Sequence, residues 1–320
     1  MSTPKKRKVL ITGAAGRIGS SLATLLKDRY DLRLHYHHTI PDDKPSTDFM
    51  VADVSKYDEV APLMEGVDAV VHMAGDPSTR ASWENVRARN IDGVYNVYEA
   101  ARAAGVRRVV FASSAAVYGT TATVPSSEAQ TPQPISPYAA SKLAGESYCR
   151  SFWEVYGLET VALRYFNVFG PRQDPESDYA AAVPRFVHTG AHGGGVTVFG
   201  DGEQSRDFVY VGDVVEANAR AMTAAAAVGG VFNIASGRPT TVNRLLEEIE
   251  ALTGVHVPVT HAEPRVGEVR HSLADIGRAR RDLGYVPATD LREGLRWTVA
   301  YFLEGRTAER GATPRPRDTR

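Results

Sequence analysis

Tyr138 and Lys142 lie four residues apart and form the strongest chemical signal in the sequence. They fall in a segment, residues 137–156, that a proline opens and that is predicted to be a helix, so the two side chains share one face. An ammonium group beside a phenol favours the ionised phenol, and it lowers the phenol pKa toward the range useful for proton transfer. Upstream, Ser114 brings a hydroxyl to the end of a predicted buried strand. The three residues together predict a site that transfers protons.

A glycine-rich turn follows the first predicted strand. Gly13, Gly16 and Gly19 lie between an apolar run that ends at Thr12 and a segment with helical periodicity. At such a junction the first glycine allows a tight turn, the second admits phosphates, and the third lets helix and sheet pack closely. The free N–H groups at the helix start suit a pyrophosphate. The turn therefore predicts a dinucleotide site, although glycine triplets also occur in ordinary turns.

Strands and helices alternate through the first half of the chain, which requires crossover connections and a parallel sheet covered on both faces. We predict an α/β fold, a Rossmann-type doubly wound parallel sheet with a smaller α/β substrate domain. The dinucleotide-binding domain is predicted to span residues 1–170, and the chain to return to it at about residues 206–236. Residues 171–205 and 237–305 form the predicted substrate-binding domain, and residues 306–320 a disordered tail.

The composition excludes several classes of protein. The chain has 320 residues, a formal net charge of −1 and a single cysteine, Cys149. A near-neutral chain produces no overall field that attracts nucleic acid or an anionic membrane, and one cysteine excludes a disulfide framework and a cysteine-rich metal site. No stretch approaches the ~20 apolar residues of a membrane span, and the amino terminus lacks a signal-peptide core. We therefore expect a cytoplasmic protein with no metal, nucleic-acid or membrane partner.

With these motifs the chain resembles the extended short-chain dehydrogenase/reductase family, and within it the NAD-dependent epimerase/dehydratase family. The branch it resembles most contains the UDP-glucose and UDP-N-acetylglucosamine 4-epimerases. The resemblance runs from about Val9 to Tyr301, nearly the whole chain. It implies catalytic roles for Ser114, Tyr138 and Lys142.

The resemblance also implies which residues bind the nicotinamide cofactor. The glycine turn would hold NAD, Asp53 would contact adenine, and Asn90 would support the cofactor side of the site. A second interpretation of Asp53 is a helix cap for the segment that starts near Ser55. The predicted cofactor-binding residues are Gly13, Gly16, Arg17, Ile18, Gly19, Tyr36, His37, Asp53, Val54, Ala74, Asn90, Tyr138 and Lys142.

The second half resembles the family segments that hold a nucleotide sugar. The resemblance implies that an asparagine and two arginines contact the diphosphate, that one aromatic residue lies beside uridine, and that an acid contacts the ribose. It also places a small residue where the room around the sugar 2-substituent is controlled. The predicted substrate-binding residues are Asn167, Phe199, Arg206, Arg265, Glu268 and Ser272. Paired guanidinium groups on a diphosphate are chemically sensible, because each forms bidentate bonds with phosphate oxygens.

The sequence does not decide whether the cofactor carries the ribose phosphate that distinguishes NADP from NAD. NAD-using members of the family commonly end the second strand with an aspartate, and this sequence has Tyr36 followed by His37 there. Without that carboxylate a ribose phosphate is not repelled, and Arg17 and the histidines could attract one. We expect NAD, because the second half resembles epimerases, and NADP is the alternative.

The resemblance implies a nucleotide-sugar 4-epimerase that interconverts UDP-hexoses or UDP-N-acetylhexosamines through a 4-keto intermediate. It also implies a homodimer built from two long helices, predicted at residues 83–105 and 137–156. The alternatives are an NAD(P)-dependent nucleotide-sugar ketoreductase or sugar/uronate dehydrogenase and a non-catalytic nucleotide-binding protein. Intact Ser114, Tyr138 and Lys142 argue against the last. The resemblance argues against dehydration, because the related dehydratases carry an acidic pair where this chain has two alanines.

Overall fold

The computed structural model of the chain describes residues 6–38, 40–41, 47–78, 81–120, 123–173, 182–264 and 269–304. The strands in these ranges are β1 (Lys8–Thr12), β2 (Asp31–Tyr36), β3 (Asp48–Val51), β4 (Ala69–His72), β5 (Arg108–Ser114), β6 (Glu159–Tyr165), β7 (Asn167–Phe169), β8 (Val196–Phe199), β9 (Ser205–Tyr210), β10 (Val231–Ile234), β11 (Pro239–Thr241) and β12 (Val259–Ala262). The α-helices are α1 (Arg17–Leu26), α2 (Tyr57–Val60), α3 (Trp83–Val86), α4 (Gly93–Ala103), α5 (Pro137–Tyr156), α6 (Ala182–His192), α7 (Val211–Ala221), α8 (Val242–Thr253) and α9 (Leu291–Glu304). None of these helices is long and apolar enough to cross a membrane.

A parallel sheet of seven strands forms the centre of the fold, in the order β10-β6-β5-β4-β1-β2-β3. Its three central strands, β5, β4 and β1, are short, mostly apolar runs that are buried except for Lys8 and Ser114 at their ends, as expected of strands covered by helices on both faces. Helices α1 and α7 contact each other on one face, and α4 and α5 contact each other on the other face. Each face has its own hydrophobic cluster. This is the predicted doubly wound α/β arrangement.

The second half of the chain adds a smaller α/β region. Strand β9 pairs in parallel with β7 and antiparallel with β11, and β12 pairs in parallel with β8. Helices α6, α8 and α9 pack against one another beside these strands. Strand β10 is different, because it leaves this region and pairs with β6 at the edge of the large sheet.

One predicted helix has a different internal structure. The segment at residues 83–105 was expected to be a single helix, but a π-helical stretch, Arg87–Asp92, separates α3 from α4. Wide turns of this kind are rare and are found mostly at functional sites. Here the wide turn contains Asn90, whose buried side chain bonds outside the helix, as described below.

Candidate active site

The carboxyl ends of neighbouring parallel strands meet at one edge of the large sheet. Thr12 of β1 is paired with His72 of β4, and His72 with Phe111 of β5. Ligands of open α/β sheets bind at this edge. The edge brings together the glycine turn after β1, the segment after β4 and Ser114 at the end of β5.

Helix α5 places the tyrosine and the lysine beside Ser114. The helix begins where the Ser136 side chain accepts a hydrogen bond from the N–H of Ala139, 3.1 Å away, and its first residue is a proline. Lys142 is buried, and its Nζ lies 5.7 Å from the centre of the Tyr138 ring and 5.1 Å from that of Phe111. The three predicted catalytic residues are therefore in one place.

The protonation of the pair is controlled by burial. Burial raises the pKa of Tyr138, and interactions with the Ser114 side chain and the Arg17 guanidinium oppose that rise. Burial lowers the pKa of Lys142 to about 8. From the sequence, Lys142 was expected to lower the tyrosine pKa. The pKa of Tyr138 is raised instead, because burial outweighs the opposing effects of the Ser114 side chain and the Arg17 guanidinium.

Asn90 connects the π-helical turn to both sides of the site. Its Oδ1 accepts from the N–H of Asp76 at 2.7 Å, and its Nδ2 donates to the Asp76 carbonyl at 2.9 Å. The same Nδ2 donates to the Ser141 hydroxyl at 3.2 Å, and that hydroxyl donates to the Tyr138 carbonyl at 2.7 Å. A side chain on Gly75 would approach Asn90 Oδ1 to 2.9 Å. Asn90 therefore holds the catalytic helix against the segment that follows β4.

The glycine turn is shaped to receive a dinucleotide. Gly13 has φ +67°, and a Cβ there would lie 2.9 Å from the Ala74 backbone. A Cβ on Gly19 would overlap the Gly13 carbonyl, so the start of α1 packs directly on the turn. Gly16 caps α1 without a side-chain hydrogen bond, and the first turn has no acidic residue. A helix start with unblocked N–H groups fits the anionic pyrophosphate of a dinucleotide.

The end of β2 holds the predicted adenosine-side residues. Tyr36 is only 3 % exposed and packs edge-on against Phe49, so its ring belongs to the core. His37 Nε2 lies 3.8 Å from Asp53 Oδ2. Asp53 Oδ1 accepts from the backbone N–H and the hydroxyl of Ser55, at 2.9 and 2.8 Å. Asp53 therefore stabilises the turn that precedes α2, whose N-cap residue is Lys56 and not Asp53, and the other Asp53 oxygen faces His37.

Two further predicted cofactor residues pack around the turn. Val54 is buried, and a Cβ on Gly93 at the start of α4 would lie 2.9 Å from its Cγ2. Ile18 is partly buried against the hydrophobic cluster that contains α1.

The predicted substrate residues lie on the smaller sheets. Asn167 begins β7, and its Nδ2 donates to the Asp207 carbonyl at 3.4 Å. Arg206 of β9 donates through Nη1 to the carbonyls of Ser205 and Arg270, at 2.9 and 3.2 Å. The N–H of Ser272 donates to the Ser205 carbonyl at 3.0 Å. Arg206 and Ser272 are therefore fixed side by side.

Three predicted substrate-binding residues remain. Phe199 ends β8 and is partly buried. Arg265 and Glu268 lie outside the described residues.

Three polar side chains under the glycine turn, those of Thr12, His72 and His35, were not predicted from the sequence. The Thr12 hydroxyl accepts from the N–H groups of Met73 and Ala74, both at 3.1 Å, and lies 2.7 Å from His72 Nδ1. On the other flank, His35 Nδ1 accepts from the N–H of Gly13 at 3.1 Å. The only signal in the sequence was a histidine inside each of two apolar strands.

A Rossmann-type sheet with a serine, a tyrosine and a lysine at its carboxyl edge defines a short-chain dehydrogenase/reductase. Residues 9–235 match the NAD dependent epimerase/dehydratase family. The chain belongs to this family, and the predicted family and fold class are confirmed.

Proteins similar to this chain over nearly their whole length include UDP-sugar 4-epimerases. UDP-glucose 4-epimerase from Mycolicibacterium smegmatis is 36 % identical over 310 residues, which cover 92 % of this chain and 98 % of that one. The UDP-N-acetylglucosamine 4-epimerase of Methanobrevibacter ruminantium, solved with UDP-N-acetylmuramic acid, is 35 % identical, with a TM-score of 0.88 and coverage of 94 % and 99 %. The UDP-glucose 4-epimerase of Thermus thermophilus, solved with NAD, is 33 % identical, with a TM-score of 0.83 and coverage of 96 % and 100 %.

Proposed function

We propose that the protein is a UDP-sugar 4-epimerase that uses NAD. The observation that carries this proposal is the convergence of Ser114, Tyr138 and Lys142 at the sheet edge next to an uncapped glycine turn. NAD, when bound, supplies the acceptor and donor of hydride. The family membership and the NAD complex of the Thermus relative support this choice of cofactor.

The site's own residues handle the proton. Tyr138 takes the proton of the sugar 4-hydroxyl as the 4-keto sugar forms, and Ser114 hydrogen-bonds the reacting oxygen. Lys142 places a positive charge near the phenol, because its pKa of about 8 keeps it mostly protonated at neutral pH. Arg17 adds a second positive charge that favours phenolate. After the keto sugar turns, Tyr138 returns the proton to the 4-oxygen, and the product differs only in configuration.

The substrate class extends to N-acetylhexosamines in this proposal. Ser272 is small, and its N–H and Arg206 Nη1 both bond the Ser205 carbonyl. If Arg206 binds the diphosphate as proposed, a serine at this position would leave room for a sugar 2-substituent. We infer that the UDP-N-acetylglucosamine and UDP-N-acetylgalactosamine pair is converted as well as the unsubstituted pair. The Methanobrevibacter relative, described as a UDP-N-acetylglucosamine 4-epimerase, supports this inference.

A homodimer is the proposed assembly. Tyr95 of α4 packs against Tyr148 and the buried Phe152 of α5, and Phe152 packs against Tyr156. We call the three tyrosines and Phe152 the α4–α5 aromatic row. Tyr95 is 48 % exposed and Tyr156 57 % exposed. Exposed aromatic rows on adjacent helices are typical of subunit contacts.

The decisive experiment compares wild-type protein with Tyr138→Phe on both sugar pairs. Proton NMR of the sugar anomeric signals should show each UDP-sugar converting to its 4-epimer by the wild type. Because the phenol is the acid and base, Tyr138→Phe should lower turnover by ~10²–10⁴-fold while bound NAD and the unfolding midpoint are retained. A variant that turns over at the wild-type rate would contradict the mechanism.

The same samples distinguish the alternative enzyme. An epimerase regenerates its cofactor, so no net NADH accumulates and denatured protein releases NAD. A ketoreductase or dehydrogenase with exchangeable NADP(H) would instead change absorbance stoichiometrically with product. No acidic residue ends β2, and the ring centres of His37 and His38 lie 3.5 Å apart there. This observation favours testing NADP.

A further inference from the structure

The turn that receives the cofactor is held on both sides by buried histidines. His35 and His72 are each 1 % exposed. His35 binds the turn twice, because its Nδ1 accepts from the N–H of Gly13 at 3.1 Å and its carbonyl accepts from the N–H of Ala14 at 3.0 Å. Because glycine has no side chain that could hold the turn, the conformation of the turn depends on His35, a residue of β2.

Only one tautomer of His35 fits its two partners. Its Nε2 lies 2.9 Å from the Ala52 carbonyl, which can only accept, so Nε2 carries the proton. Nδ1 is then the lone pair that receives the Gly13 N–H. A second proton on the ring would fall on Nδ1 and face that N–H directly, and the hydrogen bond would be lost.

His72 is constrained in the same way from β4. The Thr12 hydroxyl already accepts from the N–H groups of Met73 and Ala74, so its single proton points at His72 Nδ1, 2.7 Å away. His72 is therefore also neutral, with its proton on Nε2, an atom that has no hydrogen-bond partner within the described part of the chain. The two rings bracket Thr12 and Gly13.

We propose that His35 is a positioning residue for cofactor binding, and that its neutral Nε2–H form holds the glycine turn in the shape that receives the dinucleotide. This inference rests on the proposed use of NAD. The direct prediction is that acid, which adds a proton to the ring, releases the turn and weakens cofactor retention.

Burial lowers the pKa of both rings, that of His72 to about 3. The charged neighbours act in addition to burial. His35 faces His37, which disfavours its protonation, and Asp53, which favours it. His72 faces Lys142 and His35, both of which disfavour its protonation. Burial therefore favours the neutral form of each ring that its hydrogen bonds require.

The first measurement is nitrogen-15 NMR of the imidazole rings in the full-length protein as purified, with His35→Asn used to assign the signals. We expect a neutral Nε2–H form for His35 that persists below the ordinary histidine pKa of about 6.5. A proton on Nδ1, or titration at the ordinary value, would overturn the proposal. This readout does not depend on enzymatic activity, so it remains decisive if the proposed function fails.

The second measurement is NAD retention after gel filtration from about pH 8 to about pH 5. Wild-type retention should fall as the pH drops through the His35 pKa. His35→Asn keeps an acceptor near Gly13 but cannot titrate, so it should lose this acid sensitivity. His35→Leu leaves a buried N–H unpaired and should release NAD about tenfold faster at neutral pH.

The matched control is His256→Asn, because that side chain is 83 % exposed and distant in the sequence from the turn. It should retain NAD and its acid sensitivity as the wild type does. Wild-type retention by folded His35→Leu, or unchanged acid sensitivity in His35→Asn, would overturn the proposal. If His35→Leu fails to fold, the asparagine variant and the NMR measurement still decide the question.

Discussion

Burial shifts the pKa values of Tyr138 and Lys142, both in helix α5, in opposite directions. It favours the neutral form of each, so it raises the pKa of Tyr138 and lowers that of Lys142. A phenol that must accept a proton therefore needs positive charge and hydrogen-bond donors around it. Arg17 and Ser114 act in this direction here, so the proposed mechanism gives an arginine next to the glycine turn a part in the acid–base chemistry.

Ser272 is the residue whose size should decide between substrates. Ser272→Tyr should suppress conversion of the N-acetylated pair by about tenfold or more while conversion of UDP-glucose is largely kept, because the phenol would occupy the space of the acetamido group. Ser272→Ala is the matched control and should convert both pairs. The check is the ratio of kcat/KM values for the two pairs. An unchanged ratio in Ser272→Tyr would show that the residue does not border the sugar.

At the scale of elements, a buried ion pair joins the catalytic helix to the sheet. Arg164 of β6 donates to both carboxylate oxygens of Glu146 in α5, at 2.8 and 2.7 Å, and both side chains are 5 % exposed. The Ser113 hydroxyl donates to the same carboxylate at 2.5 Å. Ser113 precedes the catalytic serine, so this network fixes α5, β5 and β6 relative to one another.

Glu146→Gln should destabilise the protein by about 3–5 kcal/mol, because it leaves the Arg164 charge buried without its partner. Urea unfolding monitored by circular dichroism measures the change. Glu59→Gln removes one partner of the exposed Lys56–Glu59 pair and is the matched control, with little effect expected. A similar unfolding midpoint for the two variants would mean that the buried pair contributes no more than a surface pair.

The sequence predicted those elements whose signals are local. The bounds of α5 agree with prediction because Ser136, Pro137 and Gly157 are local start and stop signals. The π-helical turn around Asn90 was not predicted, since it depends on hydrogen bonds to Asp76, which lies outside the helix. The same holds for the Glu146–Arg164 pair, whose partners come from separate elements.

The residues of the candidate site also fall into two groups, those recognised by local sequence patterns and those whose roles depend on contacts between distant elements. The glycine turn and the tyrosine–lysine spacing are local patterns and could be recognised. His35 could not, because its role depends on β2 lying beside β1 and on a carbonyl that follows β3. The effect of Arg17 on Tyr138 was also missed, because it requires the helix start and α5 to face each other across the sheet edge.

At the scale of the whole molecule, the α4–α5 aromatic row tests the proposed assembly. Tyr95→Asp should convert a dimer to a monomer, because a carboxylate buried between subunits is costly. Light scattering after gel filtration measures the mass. Val286→Asp changes a 65 % exposed apolar side chain after the π-helical segment Ala279–Leu283 and should leave the mass unchanged. A dimer that survives Tyr95→Asp would place the contact elsewhere.

The late pairing of β10 with β6 has a consequence for the newly made chain. About 65 residues separate the two strands, so a ribosome adding about 5–20 residues per second needs roughly 3–13 s to complete β10 after β6 has emerged. During that interval Ala162–Tyr165 form an unpaired outer edge, which is the kind of surface that recruits foreign strands. The order of synthesis therefore leaves this edge of the large sheet unpaired until residues 231–234 are made, and a chain cut short before residue 231 would carry an open sheet edge permanently.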